Sequence, residues 1–382
     1  MAVEPLPRAY SQRMRIAPLL VTMLLLCACG RTGVTVDTST MLSTGASGAA
    51  SAVATAEQAA RSLKVLGRAI KKSKPGCSAA VGIAGKVVWA DAQGVADLDS
   101  GTTITTDTAF DIASVSKQFT ATAALLLAGA GTLSQDDLLA DHVPGLPAWG
   151  RTVTIDQLIH QTSGIPDYVG LLYDAGYEDG DRTTNADALK ALAKAKELDF
   201  KPGTQWEYSN SNYLLLGQVV ERASGQSLSD FLRAEIFTPL GLDMVLDPAR
   251  PVPTLAESYT RDDGKYTVAT TAWEQTGDGS IQTTPSQLVI WADNYRTGAV
   301  GGPKLLSAQV DGAVTTDADT GDRYGAGIFV GADGTLEHDG AWAGFLTDFM
   351  ISADRSHAVA VSCNSDHQDP TAIAGELAEI WG

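Results

Sequence analysis

Two residues of types that can perform acyl-transfer chemistry lie three positions apart at the start of an apolar segment. Ser114 and Lys117 begin the stretch ASVSKQFTATAALLLAG at residues 113–129, and no other lysine of the chain has a serine three positions before it. In a helix, residues i and i+3 lie on the same side, so the serine hydroxyl can contact the lysine amine. Burial lowers the pKa of a lysine, and a neutral amine can accept the proton of an attacking serine.

Two further triplets occur once each in the chain. Residues 208–210 (Tyr-Ser-Asn) precede an apolar helical segment. Their tyrosine can exchange a proton near an ammonium, and their asparagine can accept from Lys117 and donate to a substrate carbonyl. Residues 338–340 (His-Asp-Gly) lie in a strand-like stretch, where glycine lets a ligand approach the backbone. Each motif taken alone also fits a structural role as a helix cap, a core tyrosine or a turn.

Taken together and in this order, the three motifs resemble the set Ser-x-x-Lys, Tyr-x-Asn and Lys/His-x-Gly of the serine β-lactamase and penicillin-binding-protein superfamily. The resemblance covers about residues 65–382. It is closest to the class C β-lactamase-like branch, which includes D-alanyl-D-alanine carboxypeptidases, D-aminopeptidases and esterases. The supporting stretches are FDIASVSKQFTA, LIHQTSGIPDY, PGTQWEYSNSNYLLLG, TPLGLDMV, GDGSIQTTPSQL and EHDGAWAGF.

The resemblance implies hydrolysis of an ester, an amide or a D-amino-acid peptide through a serine acyl-enzyme, with no metal or other cofactor. Ser114 would be the nucleophile. Lys117 and Tyr208 would share the proton transfers, and the general base stays open between them. The backbone N–H groups of Ser114 and Ala341 would form the oxyanion hole. Substrate binding would involve Asn210, His338 and Gly340, of which Asn210 and His338 also belong to the implied catalytic set.

The third motif departs from the Lys-Thr-Gly or Lys-Ser-Gly of most β-lactamases. There the lysine and the hydroxyl bind the substrate carboxylate, whereas His338 is neutral or weakly charged near pH 7 and Asp339 is negative. An Asp339 side chain in the pocket would repel an anionic substrate, although strand alternation could also turn it away. We therefore do not expect efficient β-lactam hydrolysis. Peptides stay open, because carboxypeptidases of this group use His here, and so do neutral esters.

Other function classes fit the sequence less well. The Gly-x-Ser-x-Gly pattern of Ser-His-Asp hydrolases is absent, and so are the His-Glu-x-x-His spacing of metallohydrolases and the glycine motifs of nucleotide-binding proteins. A net charge of −18 with no Lys/Arg run argues against nucleic acid as a partner. The alternative that the sequence leaves open is a penicillin-recognising binding or sensor module, which is acylated but does not turn over efficiently.

The order of the elements predicts a two-part architecture. Strand patterns occur near both ends of the chain, and helical patterns predominate between them. We predict an α+β fold in which an antiparallel sheet of the five-strand type, flanked by helices, is built from both chain ends. An all-α domain is inserted, and the active site lies between the two parts. Within a hydrolase domain at 61–382, the α/β part covers about 61–112 and 255–382, and the helical part covers about 113–254.

The N-terminal residues carry the pattern of a bacterial lipoprotein signal. Residues 1–29 combine arginines, a short apolar run and the lipobox-like sequence LCAC, which ends at Cys29. We expect lipidation of Cys29 and a flexible tether rich in Thr, Ser, Gly and Ala at 30–60. The alternatives are an ordinary signal peptide and an uncleaved anchor. The protein is thus expected to be an exported membrane lipoprotein, or else secreted or periplasmic, with a small-molecule or peptide substrate such as a cell-wall fragment.

A disulfide is expected between two distant cysteines. Cys77 and Cys363 are the only cysteines outside the signal region. In an exported protein such a pair is expected to be oxidised, so we predict a bond that ties the ends of the folded chain together. The resemblance supports this pairing, because the superfamily fold places the first and last strands side by side and antiparallel.

Overall fold

The computed structural model of the chain describes residues 56–269 and 271–382. The signal sequence, Cys29 and most of the tether therefore lie outside the described residues. The predicted tether extends to residue 60, but a helix already begins at Ala56, so the last five residues of that range belong to the folded part. No helix within the described ranges is both long enough and apolar enough to cross a membrane.

The strands and helices follow one another in a mixed order. The strands are β1 Cys77–Ile83, β2 Lys86–Gln93, β3 Val95–Asp97, β4 Thr102–Thr103, β5 Phe110–Asp111, β6 Val245–Leu246, β7 Tyr259–Asp262, β8 Lys265–Val268, β9 Ile281–Thr283, β10 Val314–Asp317, β11 Asp322–Tyr324, β12 Phe329–Val330, β13 Leu336–Trp342, β14 Phe345–Ile351 and β15 His357–Cys363. The helices are α1 Ala56–Ala69, α2 Lys117–Gly129, α3 Leu139–His142, α4 Ile155–Ile159, α5 Tyr168–Asp174, α6 Asn185–Leu192, α7 Asn210–Ser224, α8 Leu228–Leu232, α9 Thr238–Leu240, α10 Pro285–Ala292, α11 Asn294–Thr297, α12 Gly302–Val310 and α13 Pro370–Trp381.

The main sheet has eight strands in the order β10-β11-β12-β13-β14-β15-β1-β2, and all of its pairs are antiparallel. This confirms the predicted α+β class and the predicted antiparallel sheet. The five strands from β13 to β2 correspond to the expected sheet, and β10, β11 and β12 extend it. These three strands have two to four residues each, which is too short for a clear alternation of apolar and polar residues.

Helices cover both faces of the central strands. The helix α10 contacts β1 and β15 on one face, whereas α13 contacts the same two strands on the other, with α1 packed against α13. Because both of its faces are covered, β15 is buried along six of its seven residues, and its sequence HAVAVSC is correspondingly apolar. The sheet thus offers a rigid platform, from which β13 reaches the helical part of the chain.

The first and last long strands of the sheet are neighbours. β1 pairs with β15 so that Cys77 lies opposite Cys363, and the structure joins the two residues in a disulfide. Their separation of 286 residues means that the bond closes almost the whole folded chain into one loop. In the chain-entropy account, a bond of this kind stabilises the fold by about 2–5 kcal/mol.

The apolar helix α2 lies at the centre of the molecule. Ten of its thirteen residues are buried, including Lys117 at its first position. It packs against α7, α8 and α12. One continuous apolar cluster contains Phe119 of α2, Leu214 of α7, Trp291 of α10 and Ala360 of β15. The sheet and the helical region therefore share a single core, and α2 is the rigid element on which the residues before it are mounted.

Candidate active site

Ser114 lies in a short 3-10 turn, Ala113–Ser116, that leads directly into α2. Ala113 has a φ of 46°, in the left-handed region that costs a non-glycine residue about 1–3 kcal/mol. Its backbone N–H donates to the Asp111 carboxylate at 2.8 Å, which helps to hold this conformation. Ser114 is partly exposed, whereas Ser116 in the same turn is buried. Of the two serines in this turn, Ser114 is therefore the one that a substrate can reach.

The Lys117 amine is completely buried and makes three hydrogen-bond contacts. Its Nζ lies 3.0 Å from Ser114 Oγ, 2.9 Å from Asn210 Oδ1 and 2.7 Å from the backbone oxygen of Asp278. An ammonium would donate to all three oxygens. A neutral amine would donate to the two carbonyl oxygens and accept the proton of the serine hydroxyl. The arrangement therefore accommodates the lysine both before and after it takes a proton from Ser114.

The surroundings of Lys117 place its titration near neutral pH. Burial lowers the pKa of this amine to about 8, and the carboxylates of Asp278 and Asp167 oppose the shift. The ammonium also lies over the ring of Tyr208, 4.9 Å from the centroid, and 5.8 Å from that of Tyr213. An amine with this pKa is neutral in a useful fraction of molecules at pH 7–8, as a general base requires.

The Tyr208 hydroxyl lies in the same enclosure. It is buried and has no hydrogen-bond partner within the described residues. Burial raises the pKa of Tyr208 well above its ordinary value, and the nearby Ser114 hydroxyl only partly opposes this. The phenol is therefore protonated at neutral pH. It can pass a proton on to a leaving group, whereas Lys117 is the better acceptor of the first proton.

Asn210 is oriented by a carboxylate that the sequence motifs did not include. Its backbone N–H and its Nδ2 both donate to Asp167 Oδ2, at 2.8 Å and 3.0 Å. Because the amide nitrogen faces Asp167, the amide oxygen faces Lys117. Asp167 also caps α5 by accepting from the backbone N–H of Val169 at 2.8 Å. One carboxylate thus connects the start of α5 with the start of α7.

The third motif lies on β13, close to the turn Ala113–Ser116, which we call the nucleophile turn because it carries the predicted nucleophile Ser114. His338 is buried, and burial lowers its pKa to about 4, so the ring is neutral at neutral pH. Its Nδ1 lies 2.6 Å from the backbone oxygen of Asp339, and its Nε2 lies 3.3 Å from the Tyr324 hydroxyl. A neutral ring suits both contacts if Nδ1–H donates and Nε2 accepts.

Gly340 is a point of close approach between β13 and the turn. A Cβ at this position would lie 2.4 Å from the backbone oxygen of Ile112 and 3.2 Å from the backbone nitrogen of Ser114. Only glycine fits without a shift of one of these backbones. The residue that follows is Ala341, so the two predicted oxyanion-hole donors, Ser114 and Ala341, belong to backbone segments that touch each other.

The structure decides the orientation of Asp339, which the sequence left open. The side chains of β13 alternate, so His338 and Gly340 face the nucleophile turn and Asp339 faces the other side of the sheet. Asp339 is exposed there and lies opposite Asp348 of β14. Direct repulsion by an Asp339 side chain inside the pocket is therefore not the reason to expect weak binding of anionic substrates.

One edge of β13 is open beside Ser114. Within the described residues, β12 pairs only with Leu336 and Glu337, while β14 pairs with all seven residues of β13 on the other side. The outer edge of residues 338–342 is therefore left without a strand partner in this part of the chain. A substrate backbone can lie along this edge with its scissile carbonyl near Ser114.

Sequence reasoning missed three residues of this site: Asp167, Tyr168 and Asp278. Asp167 lies in the stretch LIHQTSGIPDY and Asp278 in GDGSIQTTPSQL. Both stretches belong to the resemblance, but neither Asp167 nor Asp278 is part of its three motifs. A Pro-Asp pair before a helical segment could have indicated the cap, whereas nothing local marks Asp278 as a neighbour of Lys117. The described residues contain no group of three or more His, Cys, Asp and Glu side chains arranged to hold a metal ion.

Sequence comparison relates the chain to one family of proteins. The family model described as Beta-lactamase matches residues 46–380. A penicillin-binding protein of Bacillus subtilis is 29% identical over 309 residues, which are 74% of this chain and 66% of that protein. A D-aminopeptidase of Cereibacter sphaeroides is 28% identical over 317 residues, which are 81% of this chain and 60% of that protein. The chain thus spans less than two thirds of the length of these relatives.

Structural comparison gives the same picture for the fold. The D-amino acid amidase from Ochrobactrum anthropi, solved in complex with D-phenylalanine, matches with a TM-score of 0.73. The match covers 85% of this chain and 98% of the amidase, at 21% sequence identity. At this level of identity the likeness concerns the fold alone.

Proposed function

The chain belongs to the Beta-lactamase family, and on that premise we propose that it is a serine hydrolase that forms an acyl-enzyme on Ser114. The observation that carries the proposal is the contact of a fully buried amine with a partly exposed serine hydroxyl, Lys117 Nζ to Ser114 Oγ at 3.0 Å. A buried lysine is costly for folding, so its placement against a nucleophile, with every donor occupied, supports a chemical role.

The proposed acylation step follows from the two pKa shifts. Lys117, with its pKa lowered to about 8 by burial, takes the proton of Ser114 as its Oγ attacks the substrate carbonyl. The backbone N–H groups of Ser114 and Ala341 stabilise the oxyanion. The C–O or C–N bond then breaks, and the leaving group receives a proton through the Tyr208 phenol, which Lys117 reprotonates. In the second half of the cycle, water adds to the ester carbonyl as Lys117 takes one of its protons. The bond between Ser114 Oγ and the acyl carbon then breaks, Oγ receives that proton back, and the carboxylic acid leaves.

The charges of the site support a substrate without a carboxylate next to the scissile bond. His338 is neutral at neutral pH because of burial, so it offers no cation in the position where a lysine would bind such a group. Within the described site residues Lys117 is the only cation, and it is already surrounded by Asp167 and Asp278. We therefore propose that the substrates are neutral or amine-bearing esters and amides, including amides of D-amino acids. The similarity of the chain to a D-aminopeptidase of Cereibacter sphaeroides supports this class.

A matched pair of substrates tests the charge argument. An N-acyl-D-alanyl-D-alanine and its C-terminal amide differ only in the terminal carboxylate. We expect kcat/KM for the amide to be higher by about tenfold or more, corresponding to about 1.4 kcal/mol. We also expect p-nitrophenyl esters and D-phenylalanine amide to be turned over and nitrocefin to be a poor substrate. Equal rates for the paired peptides, or faster hydrolysis of nitrocefin than of the esters, would contradict the proposed substrate class.

The same assays separate a hydrolase from a penicillin-recognising binding module. A hydrolase gives many turnovers per Ser114, and any acyl-enzyme that mass spectrometry detects during turnover disappears once the substrate is exhausted. A binding module gives one equivalent of product, and a stable mass increase remains on the peptide that contains Ser114. Labelling of the wild-type protein by a fluorophosphonate probe, measured first, establishes that the serine is reactive before either result is interpreted.

We propose further that the protein is exported and tethered to the membrane by a lipid on Cys29. The lipobox-like LCAC sequence supports this, and the disulfide between Cys77 and Cys363 suits an oxidising compartment. In a bacterial host fed an alkyne fatty acid, the wild-type protein should become labelled and sediment with membranes. Cys29→Ser should lose both properties, whereas Cys27→Ser should lose neither. Labelling that persists in Cys29→Ser would contradict the assignment.

A further inference from the structure

We propose that the Asp278 carboxylate, held by Tyr168, is the counter-charge that positions Lys117 and controls when its amine is free to take the Ser114 proton. Asp278 is thus a positioning residue that acts through Lys117. The inference rests on the proposed hydrolase function for its kinetic consequence. Its electrostatic part can be measured without any turnover.

The first support is the geometry of the Asp278 segment. The backbone oxygen of Asp278 accepts from Lys117 Nζ at 2.7 Å, which is the shortest of the three contacts of that amine. The preceding Gly277 has a φ of 104°, and a Cβ there would lie 2.4 Å from the backbone oxygen of Tyr213. The Gly277 oxygen accepts from the Thr120 hydroxyl of α2 at 2.7 Å. The segment is thus fastened to α2 and packed tightly against α7.

The second support is the state of the Asp278 side chain. Its Oδ2 accepts from the Tyr168 hydroxyl at 2.9 Å, while its Oδ1 is buried without a hydrogen-bond partner in the described structure. A carboxylate with one unsatisfied oxygen is expensive to bury unless a nearby cation compensates it. Tyr168 is itself buried at the start of α5 and donates its only hydroxyl proton to this carboxylate. Lys117 is the cation that stabilises the pair.

The third support comes from a survey of the groups that surround Lys117. Asp167 lies just before α5 and Tyr168 is its first residue, while Tyr208 lies just before α7 and Asn210 and Tyr213 lie in its first turn. The loop before β9 contributes Asp278, and β13 contributes His338 and Asp339. Three of these groups are carboxylates. Asp167 is committed to Asn210 and to its helix cap, and Asp339 lies on the far side of the sheet. Of the three carboxylates, Asp278 raises the pKa of Lys117 most and so does most to oppose the effect of burial.

The consequence has a definite sign. The Asp278 charge favours the ammonium form of Lys117, so it keeps the pKa of Lys117 higher than burial alone would leave it. Asp278→Asn retains the shape, the backbone oxygen and an acceptor for Tyr168, but it removes the charge. Lys117 should then lose its proton at a lower pH, and the acid limb of the pH profile for Ser114 acylation should move in the same direction.

The test measures Lys117 directly and through acylation. Selectively labelled lysine, with the Lys117 signal assigned from Lys117→Arg, gives the titration by NMR. The pH dependence of fluorophosphonate labelling gives the acid limb. We expect Asp278→Asn to shift both downward by at least about half a pH unit, which is a threefold change in the deprotonation equilibrium. Tyr168→Phe should shift both in the same direction by a smaller amount. Without the hydrogen bond from Tyr168, the Asp278 carboxylate is more easily protonated and carries its charge less often.

Tyr213→Phe is the matched control. It removes the hydroxyl of another buried tyrosine, which donates to the backbone oxygen of Ile159, and it keeps the ring whose centroid lies 5.8 Å from Lys117 Nζ. No shift is expected for it. An unchanged or raised Lys117 titration in Asp278→Asn, or an equal shift in Tyr213→Phe, overturns the proposal. If Asp278→Asn does not fold, Tyr168→Phe decides by the same criterion. If the wild-type protein is neither labelled nor active, the hydrolase function fails, while the NMR titration still decides the role of Asp278.

Discussion

Replacing Ser114 with alanine should reduce the hydrolysis of an ester by about 10³–10⁶-fold while leaving the fold intact. Without Oγ no acyl-enzyme forms, and the remaining rate comes from substrate binding and the oxyanion donors alone. Ser114 is partly exposed, and its Oγ contacts only Lys117 among the hydrogen bonds described, so little stability depends on it. The measurement is kcat/KM with a p-nitrophenyl ester, together with the labelling of the protein by a fluorophosphonate.

Ser116→Ala is the matched control for this variant. Ser116 lies two residues away in the same turn, but it is buried, and its Oγ accepts from the backbone N–H of Ile281 at 3.2 Å. Its replacement should cost about 1–3 kcal/mol of stability because that donor loses its partner, yet the labelling should persist. If Ser114→Ala hydrolysed the ester as fast as the wild-type protein, another nucleophile would have to be sought.

Introducing a single methyl group at Gly340 should reduce kcat by at least about 10²–10³-fold, as expected when an oxyanion donor is displaced. The new Cβ of Gly340→Ala would lie 2.4 Å from the backbone oxygen of Ile112 and 3.2 Å from the backbone nitrogen of Ser114. Because both are backbone atoms, β13 and the nucleophile turn must move apart. The N–H groups of Ser114 and Ala341, the proposed oxyanion donors, would then be moved apart.

The control for this variant is Gly375→Ala in α13. A Cβ at Gly375 meets nothing within 4 Å, and alanine favours a helix interior by about 0.5–1 kcal/mol over glycine. This variant should keep full activity with an equal or slightly higher melting temperature. For Gly340→Ala, the melting temperature and circular dichroism are needed beside the kinetics. Wild-type kcat in a folded Gly340→Ala protein would contradict the assignment of the oxyanion hole to these two segments.

Local patterns made part of the site predictable. The contact between Ser114 and Lys117 follows from a spacing of three residues at the start of a helix, because helix geometry brings such side chains together. The open edge of β13 and the pairing of Cys77 with Cys363 are different, since they depend on which strands become neighbours. The superfamily resemblance implies that the strands carrying the two cysteines are neighbours. The residue types alone predict only that the two cysteines are oxidised.

Several features of the site depend on contacts between distant segments. Asp278 lies 161 positions from Lys117, and the two residues meet only when the loop before β9 folds over the start of α2. The neutrality of His338 follows from burial among Tyr208, Tyr324 and Phe329, whose rings lie 5.3–6.2 Å from its own. No pattern near either residue shows how deeply it is buried or what charge lies beside it.

The sequence by itself determined the three motifs, the α+β class and the apolar helix that carries Lys117. Residue type, helical spacing and strand alternation are local properties, and they can be interpreted without knowing the fold. Only the tertiary structure decided that Asp339 points away from Ser114, that Asp167 orients Asn210 and that the backbone oxygen of Asp278 contacts the Lys117 amine. Burial and the distances between charges set pKa values and orientations, and both depend on segments that are far apart in the chain and meet only when it is folded.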